Sequence, residues 1–327
     1  MIIAVDAVGG DFYPKNPITG ALRAMEENPS VSILFVGPEN MIRNELASLE
    51  YDTSRVDILH APEIVTMEDT ASVAIKTKPY SSITVGIKAH QQGRCDAFVS
   101  AGNTGALLAA STILLGRLNG VLRSTIAATF PTLKGPALLI DAGANLELRP
   151  EMYYQFAKMG SIFSEVILQQ ESPTVGLVNV GEEREKGTDI HKEAYKMLET
   201  LDNFAGNIEG KDILCGTTNV FLTDGFTGNI ILKFGESIPE MLKLKIAQTM
   251  KEQKVDEATQ NIVYKLLKES LSGFDYQAIG GVPFLGVNGV SLVGHGNSSP
   301  AAITNMIHSA VNCIRHRLNE RIVSSLH

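Results

Sequence analysis

The sequence predicts an α/β fold: a wound, largely parallel sheet covered by helices on both faces. Three observations carry that reading. Short runs rich in β-formers alternate with helical patterns through most of the 327 residues. The runs are continuously apolar, as strands buried on both faces must be. Several of them end in a polar glycine turn where a helix would begin.

The elements follow in order. The run 2–6 ends in Asp6-Ala7-Val8-Gly9-Gly10-Asp11, and the helix after it closes at Asn28-Pro29 before the runs 31–36 and 56–61. The run 97–100 leads into Ser100-Ala101-Gly102-Asn103-Thr104-Gly105 and an apolar helix over 106–115. The stretch 97–115 is uncharged, but Ser100, Asn103, Thr104, Ser111 and Thr112 would be costly in lipid, so it reads as strand, turn and buried helix. Runs 126–130 and 137–141 come next, the second ending in Asp141-Ala142-Gly143-Ala144-Asn145. Pro150 before Glu151 starts a helix. The run 174–178 enters a loop, 179–187, dense with both charges, and Thr188-Asp189 opens a helix to Leu201. The run 220–223 ends in Asp224-Gly225-Phe226-Thr227-Gly228-Asn229.

From 228 to 275 the alternation stops. Ile230, Ile231, Phe234, Ile238, Met241 and Leu242, then Ile262, Val263, Leu266, Leu267 and Leu271, recur at spacings of three and four. They predict a projecting hairpin of two amphipathic helices turning near 251–256, with Pro239 kinking or restarting the first. A β-like run, 290–293, then enters Gly294-His295-Gly296-Asn297-Ser298 and a helix over 300–317. No low-complexity linker interrupts the chain, which reads as one unit over 1–327 carrying a hairpin at 228–275.

Bulk properties exclude several classes. A formal net charge of −8 opposes nucleic-acid binding, which rests on Lys and Arg displacing counterions. Cys95, Cys215 and Cys313 are odd in number and far apart, which fits neither a disulfide framework nor a CxxC metal site and suits a reducing cytoplasm. The start has no basic segment or long apolar stretch of the signal-peptide kind. GxGxxG, the P-loop, HExxH and GxSxG are all absent.

In a wound sheet the carboxyl ends of the strands share an edge, so the five glycine turns are expected to converge on one composite site. Free amides in the Gly102-Asn103-Thr104-Gly105 turn can hold an anion, with capping by Asn103 as the plain alternative. Lys186, in the charged loop, would supply a cation, and Asn229 a helix N-terminal donor. His295 lies between two glycines in a strand-to-helix turn, where it can bind an oxyanion or move a proton. Asp6, Asp11, Asp141 and Asp224 end strands, where carboxylates cap turns, and no clustered spacing favours a metal.

Taken together, these segments resemble the bacterial phosphate acyltransferase family of phospholipid synthesis over essentially the full length. The match rests on the start 3–11, on 100–106, on 141–145, on Gly181-Glu182-Glu183 with Lys186-Gly187, on 224–229 and on His295-Gly296. The resemblance implies transfer of a long acyl chain from acyl carrier protein to inorganic phosphate, giving acyl phosphate. It implies a three-layer α/β/α architecture of the isocitrate and isopropylmalate dehydrogenase type, shared with phosphotransacetylases. It also implies a homodimer without metal or redox cofactor, cytoplasmic with weak peripheral contact at the inner membrane face, and an acyl-phosphate glycerol-3-phosphate acyltransferase as a further partner.

Phosphate is already an anionic nucleophile and a thiolate a good leaving group, so positioning and oxyanion stabilisation suffice. On that basis Lys186, His295 and Asn229 are the expected catalytic residues. Asp6, Gly9, Gly10, Asp11, Gly102, Asn103, Thr104, Gly105, Asp141, Asn145, Glu182, Glu183, Asp224 and Gly228 are the expected phosphate and thioester positions. Two departures stand out. Family members often carry Lys two residues before His-Gly, where this chain has Val293, so the cation is missing or comes from Lys186 or Arg184. The hairpin turn is polar here where relatives are often apolar.

The rival readings are a phosphotransacetylase-like enzyme using coenzyme A, a decarboxylating dehydrogenase, and a noncatalytic acyl-carrier-binding scaffold. An acidic carrier would need a local basic surface, with Lys243, Lys245, Lys265 and Lys268, and Arg315, Arg317 and Arg321, as candidates.

Overall fold

The computed structural model describes residues 1–274, 277 and 280–326, and one eleven-stranded sheet runs through it. The strands are β1 (Ile2–Asp6), β2 (Ser32–Gly37), β3 (Val56–His60), β4 (Ala97–Ser100), β5 (Thr125–Thr132), β6 (Gly135–Ile140), β7 (Val175–Val178), β8 (Phe204–Ile208), β9 (Val220–Leu222), β10 (Val282–Leu285) and β11 (Ser291–Val293). Their spatial order is β3-β2-β1-β4-β11-β10-β5-β6-β9-β7-β8.

Two strands of this set are not legible locally. β8 carries Gly206 and Asn207, and β10 carries Pro283, residues that weaken a strand pattern.

The sheet has two parallel blocks. β3, β2, β1, β4 and β11 run one way, and β6, β9, β7 and β8 are parallel among themselves. Between them β10 pairs antiparallel with β11 and with β5, and β5 antiparallel with β6. Those three reversals turn the second block against the first. The expectation that every glycine turn leaves a common edge is therefore corrected: the turns leave opposite edges, and a site between them must lie across a face.

The helices are α1 (Lys15–Glu27), α2 (Glu39–Leu46), α3 (Ala71–Thr77), α4 (Ser82–Gln91), α5 (Thr104–Ala110), α6 (Pro150–Val166), α7 (Asp189–Leu198), α8 (Gly210–Cys215), α9 (Gly225–Glu252), α10 (Glu257–Ser270), α11 (Pro300–Arg315) and α12 (Leu318–Leu326). Alternation along the strands divides the core into layers. Ile3 and Val5 of β1 pack with α1 and α11, and Leu138 and Ile140 of β6 with α6, α7 and α12. Ala4, Ala137 and Leu139 point to the other face, into a cluster that includes α3, α4, α5 and α8. The result is three layers, α/β/α.

The hairpin is α9 and α10, and α9 runs unbroken through Pro239. It starts at Gly225 because Asp224 caps it, accepting the Thr227 amide at 2.8 Å. Asp256 caps α10 in the same way, accepting from the Thr259 amide at 3.0 Å. Ile230, Phe234, Met241 and Leu244 form an exposed stripe on α9, and Ile262 and Leu266 one on α10. Among the described residues no helix is long and apolar enough to cross a membrane.

Candidate active site

A cavity of about 330 Å³ lies across the face of the antiparallel strands, under α9. Its floor is apolar. Ile126, Ala128 and Phe130 alternate along β5 toward one face, with Val282 of β10 and Val293 of β11 beside them. Gly235 lets α9 sit on the Phe130 ring, since a Cβ there would come within 2.6 Å of it. Gly102, Thr104 and the Gly294-His295-Gly296 turn supply polar groups from one edge of the sheet, and Gly143 and Asn229 from the other. The cavity thus joins turns from both parallel blocks.

The carboxylates expected to bind substrate build the walls instead. Asp6 is buried, accepts the Ser100 hydroxyl at 2.6 Å and the Val8 amide at 3.2 Å, while the Ser100 oxygen accepts the Gly102 amide at 3.0 Å. This chain shapes the β1 and β4 turns together, and burial raises the Asp6 carboxyl above its ordinary range against the Ser100, Ser82 and Val8 hydrogen bonds. Gly9 is required by the closeness of the packing: a Cβ there would lie 2.8 Å from both Asp6 Oδ2 and Ser100 Oγ. The turn then docks on the His295 loop, with the Asp11 amide donating to Gly296 O at 2.7 Å next to Gly10.

Asn103 is spent on structure. Its side chain caps α5 by accepting the Ala106 amide at 3.0 Å, and its NH₂ donates to Thr66 O at 3.0 Å and Asp69 O at 3.1 Å. This ties down the segment that carries Met67 over the cavity. Gly105 packs against Ala71 of α3. Gly102 and Thr104 are the members of this turn that face the cavity.

Asp141 organises the opposite wall. It is fully buried and accepts the backbone amides of Ile126, Gly143, Ala144 and Asn145 at 3.3, 3.1, 2.9 and 2.8 Å, and the Asn145 side-chain amide at 2.8 Å. Burial raises its carboxyl above the ordinary range, opposed by these donors. Asn145 also donates to Ser124 O at 2.9 Å. The first turn of α9 presses on this loop: a Cβ on Gly228 would fall 1.9 Å from Asp141 O, so only glycine admits the approach that brings Asn229 beside Gly143.

His295 lies in the cavity with two residues of α9. Its Nε2 is 3.5 Å from Glu236 Oε1, and Lys233 Nζ is 2.8 Å from Glu236 Oε2. Burial lowers the imidazole below its usual value; Glu236 pulls the other way and Lys233 adds to the lowering. His295 is therefore neutral near pH 7.

Lys233 and Glu236 are absent from the sequence-based candidates. Asn229, Lys233 and Glu236 stand at i, i+4 and i+7, a polar stripe on one face of α9, and that spacing was the available signal.

Lys186, Glu182 and Glu183 are not brought into the cavity. Lys186 Nζ is 3.9 Å from Glu183, and Glu182 pairs with Lys211 at 3.1 Å. Arg184 pairs with Glu199 and lies over the Tyr195 ring. Among the described residues lining the cavity, Lys233 is the one Lys or Arg. A carboxylate cluster of Glu182, Glu209 and Asp212 lies elsewhere, already bonded to Lys211 and to the start of α8.

A family described as fatty acid synthesis protein matches residues 1–321. The phosphate acyltransferase of Salinibacter ruber is 44% identical over 331 residues, covering 99% of this chain and 98% of its own length. That of Clostridium novyi is 39% identical and covers 100% and 98%. Of solved structures, a phosphotransacetylase from Streptococcus pyogenes superposes with TM-score 0.62 at 15% identity, over 96% of this chain and 94% of that one. A 4-hydroxythreonine-4-phosphate dehydrogenase from Klebsiella pneumoniae does so with TM-score 0.54 at 13% identity, over 95% and 97%. At those identities the two structures share the fold alone.

Proposed function

This chain belongs to the phosphate acyltransferase family, and from that premise and the cavity's geometry we propose that it moves a long-chain acyl group from acyl carrier protein to inorganic phosphate. The observation that carries the reading is one cavity that joins an apolar floor, Ile126 to Phe130, to polar groups from both edges of the sheet, Gly102, Thr104, Asn229 and His295. An acyl chain fits the first and a phosphate the second, with the thioester carbonyl between them.

The chemistry balances without an activated side-chain nucleophile. An oxygen of hydrogenphosphate attacks the carbonyl carbon, and the tetrahedral oxyanion is held by turn amides and Asn229. The C–S bond breaks with its electron pair on sulfur. Neutral His295 accepts the phosphate proton and returns it to the departing thiolate, leaving acyl phosphate and free carrier thiol.

Incubating the purified protein with palmitoyl-carrier or palmitoyl-coenzyme A, each with and without phosphate, tests this. Phosphate-dependent acyl phosphate from the carrier substrate is expected. Product from coenzyme A alone would favour the phosphotransacetylase-like alternative, and product from neither would end the acyl-transfer reading.

Carrier docking is assigned to the groove between α9 and α10. It adjoins the cavity at Glu236 and Phe274 and presents Lys243, Lys265 and Lys268. These lysines, interleaved with Glu236, Glu240 and Glu269, are the cations the groove offers an acidic partner on a chain of net charge −8. Lys265→Glu with Lys268→Glu should weaken use of the carrier substrate and flatten its salt dependence, leaving a small acyl thioester nearly unaffected. Equal loss with both substrates would move these lysines out of docking.

A homodimer is the second part of the reading, with the exposed stripe of Ile230, Phe234, Met241 and Leu244 covered by a second copy. Sedimentation at micromolar concentration should give a dimer, and Leu266→Glu should shift it toward monomer. A wild-type monomer would refute this. Membrane contact is secondary, because Gln253, Lys254 and Asp256 make the hairpin tip polar.

A further inference from the structure

We infer that Lys233 is the phosphate-binding cation of this site and that Glu236 is a positioning residue holding both Lys233 and His295. The inference rests on the acyl-phosphate reading above and adds two residues to it. Lys233 Nζ, the Glu236 carboxylate and His295 Nε2 form a continuous chain along one wall of the cavity, with contacts of 2.8 and 3.5 Å. Gly102 and Thr104 line the same cavity.

The pair on α9 is poorly suited to a purely structural role. Lys precedes Glu at i,i+3, the weaker order on a helix, and the Lys233 side chain is 58% exposed, where an ion pair stabilises little. Its position instead suits a dianion. Three ammonium donors allow Lys233 to keep Glu236 while contacting phosphate, and Glu236 retains an oxygen to hold the imidazole. Fixing His295 in this way orients its ring toward the proton it must move.

The two charges act on His295 with opposite sign. Glu236 raises the imidazole's proton affinity and Lys233 lowers it. Asp11, beside Gly296 in the turn after β1, is a further charged group facing this loop and is left unchanged in the test.

Steady-state kinetics of the intact enzyme with palmitoyl-carrier and inorganic phosphate decide the matter. Lys233→Ala should raise the phosphate KM about ten- to a hundredfold with little change in the carrier KM, and Lys233→Arg should recover much of the loss. Glu236→Gln should lower kcat and move the acid limb of the pH profile to lower pH, whereas Lys233→Met should move that limb to higher pH. Opposed displacements are not produced by general damage to the fold, which circular dichroism monitors in parallel. If wild type makes acyl phosphate and Lys233→Ala keeps the wild-type phosphate KM, Lys233 is not the phosphate ligand. If neither variant displaces the limb, Glu236 and Lys233 do not act on His295. A wild-type enzyme that makes no acyl phosphate would instead remove the functional reading itself.

Discussion

His295→Ala should reduce kcat by about 10²- to 10⁴-fold, the range for losing a general acid–base group, while the protein stays folded. The residue lies in a loop between β11 and α11 and contributes nothing to the apolar core, so truncation removes chemistry rather than packing. The pH dependence has a definite sign. A neutral imidazole is the proton acceptor, so activity rises as pH increases through the His295 pKa. Burial holds that pKa below its ordinary value, so the His295 limb lies at lower pH than that of a solvent-exposed imidazole. His295→Gln retains a hydrogen-bonding side chain but cannot titrate, and its profile should lose the limb. Full activity of His295→Ala across the pH range would exclude both proton transfer and oxyanion binding by this residue.

Asp141→Ala should be the most destabilising change near the cavity, by on the order of 3 kcal/mol or more. Four backbone amides and the Asn145 side chain converge on this buried carboxylate, and alanine would leave them without their acceptor. Activity should fall as well, because the Asp141 loop bears the first turn of α9 and so sets where Asn229, Lys233 and Glu236 stand. Asp141→Asn keeps one acceptor oxygen and should fall between wild type and alanine. Urea unfolding measures the difference, and an unchanged midpoint would show that the loop is held by other contacts.

Much of the site's framework was legible before any coordinates. The glycine turns at Asp6, Ser100, Asp141 and Asp224 are real strand-to-helix or strand-to-loop turns, and Gly102, Thr104, Asn229 and His295 line one cavity. The chemistry assigned to the aspartates was less legible. A carboxylate after a strand reads alike whether it meets substrate or its own loop, and the amides around Asp6 and Asp141 decide for the loop. Asn103 is a similar case, because capping and ligand binding use the same side-chain atoms. Lys233 and Glu236 went unseen because an amphipathic helix carries such charges on any solvated face.

By itself the sequence determined the α/β class, nearly all of the strands and the family, because periodicity, turn chemistry and ordered motifs are local properties of the chain. Tertiary structure alone decided which turns meet. β10 is four residues long and contains a proline, so nothing local announces it. Its antiparallel pairing of Val282 with Val293 on one side and Leu285 with Thr125 on the other joins β11 to β5, and the antiparallel pairing of β5 with β6 completes the reversal between the two blocks. The Lys186 loop follows β7, two strands beyond β6 in the same parallel block, and so stands to the side of the cavity that the Gly143 and Asn229 turns of β6 and β9 reach. Strand direction depends on pairing between segments far apart in the chain, which no window of neighbouring residues contains.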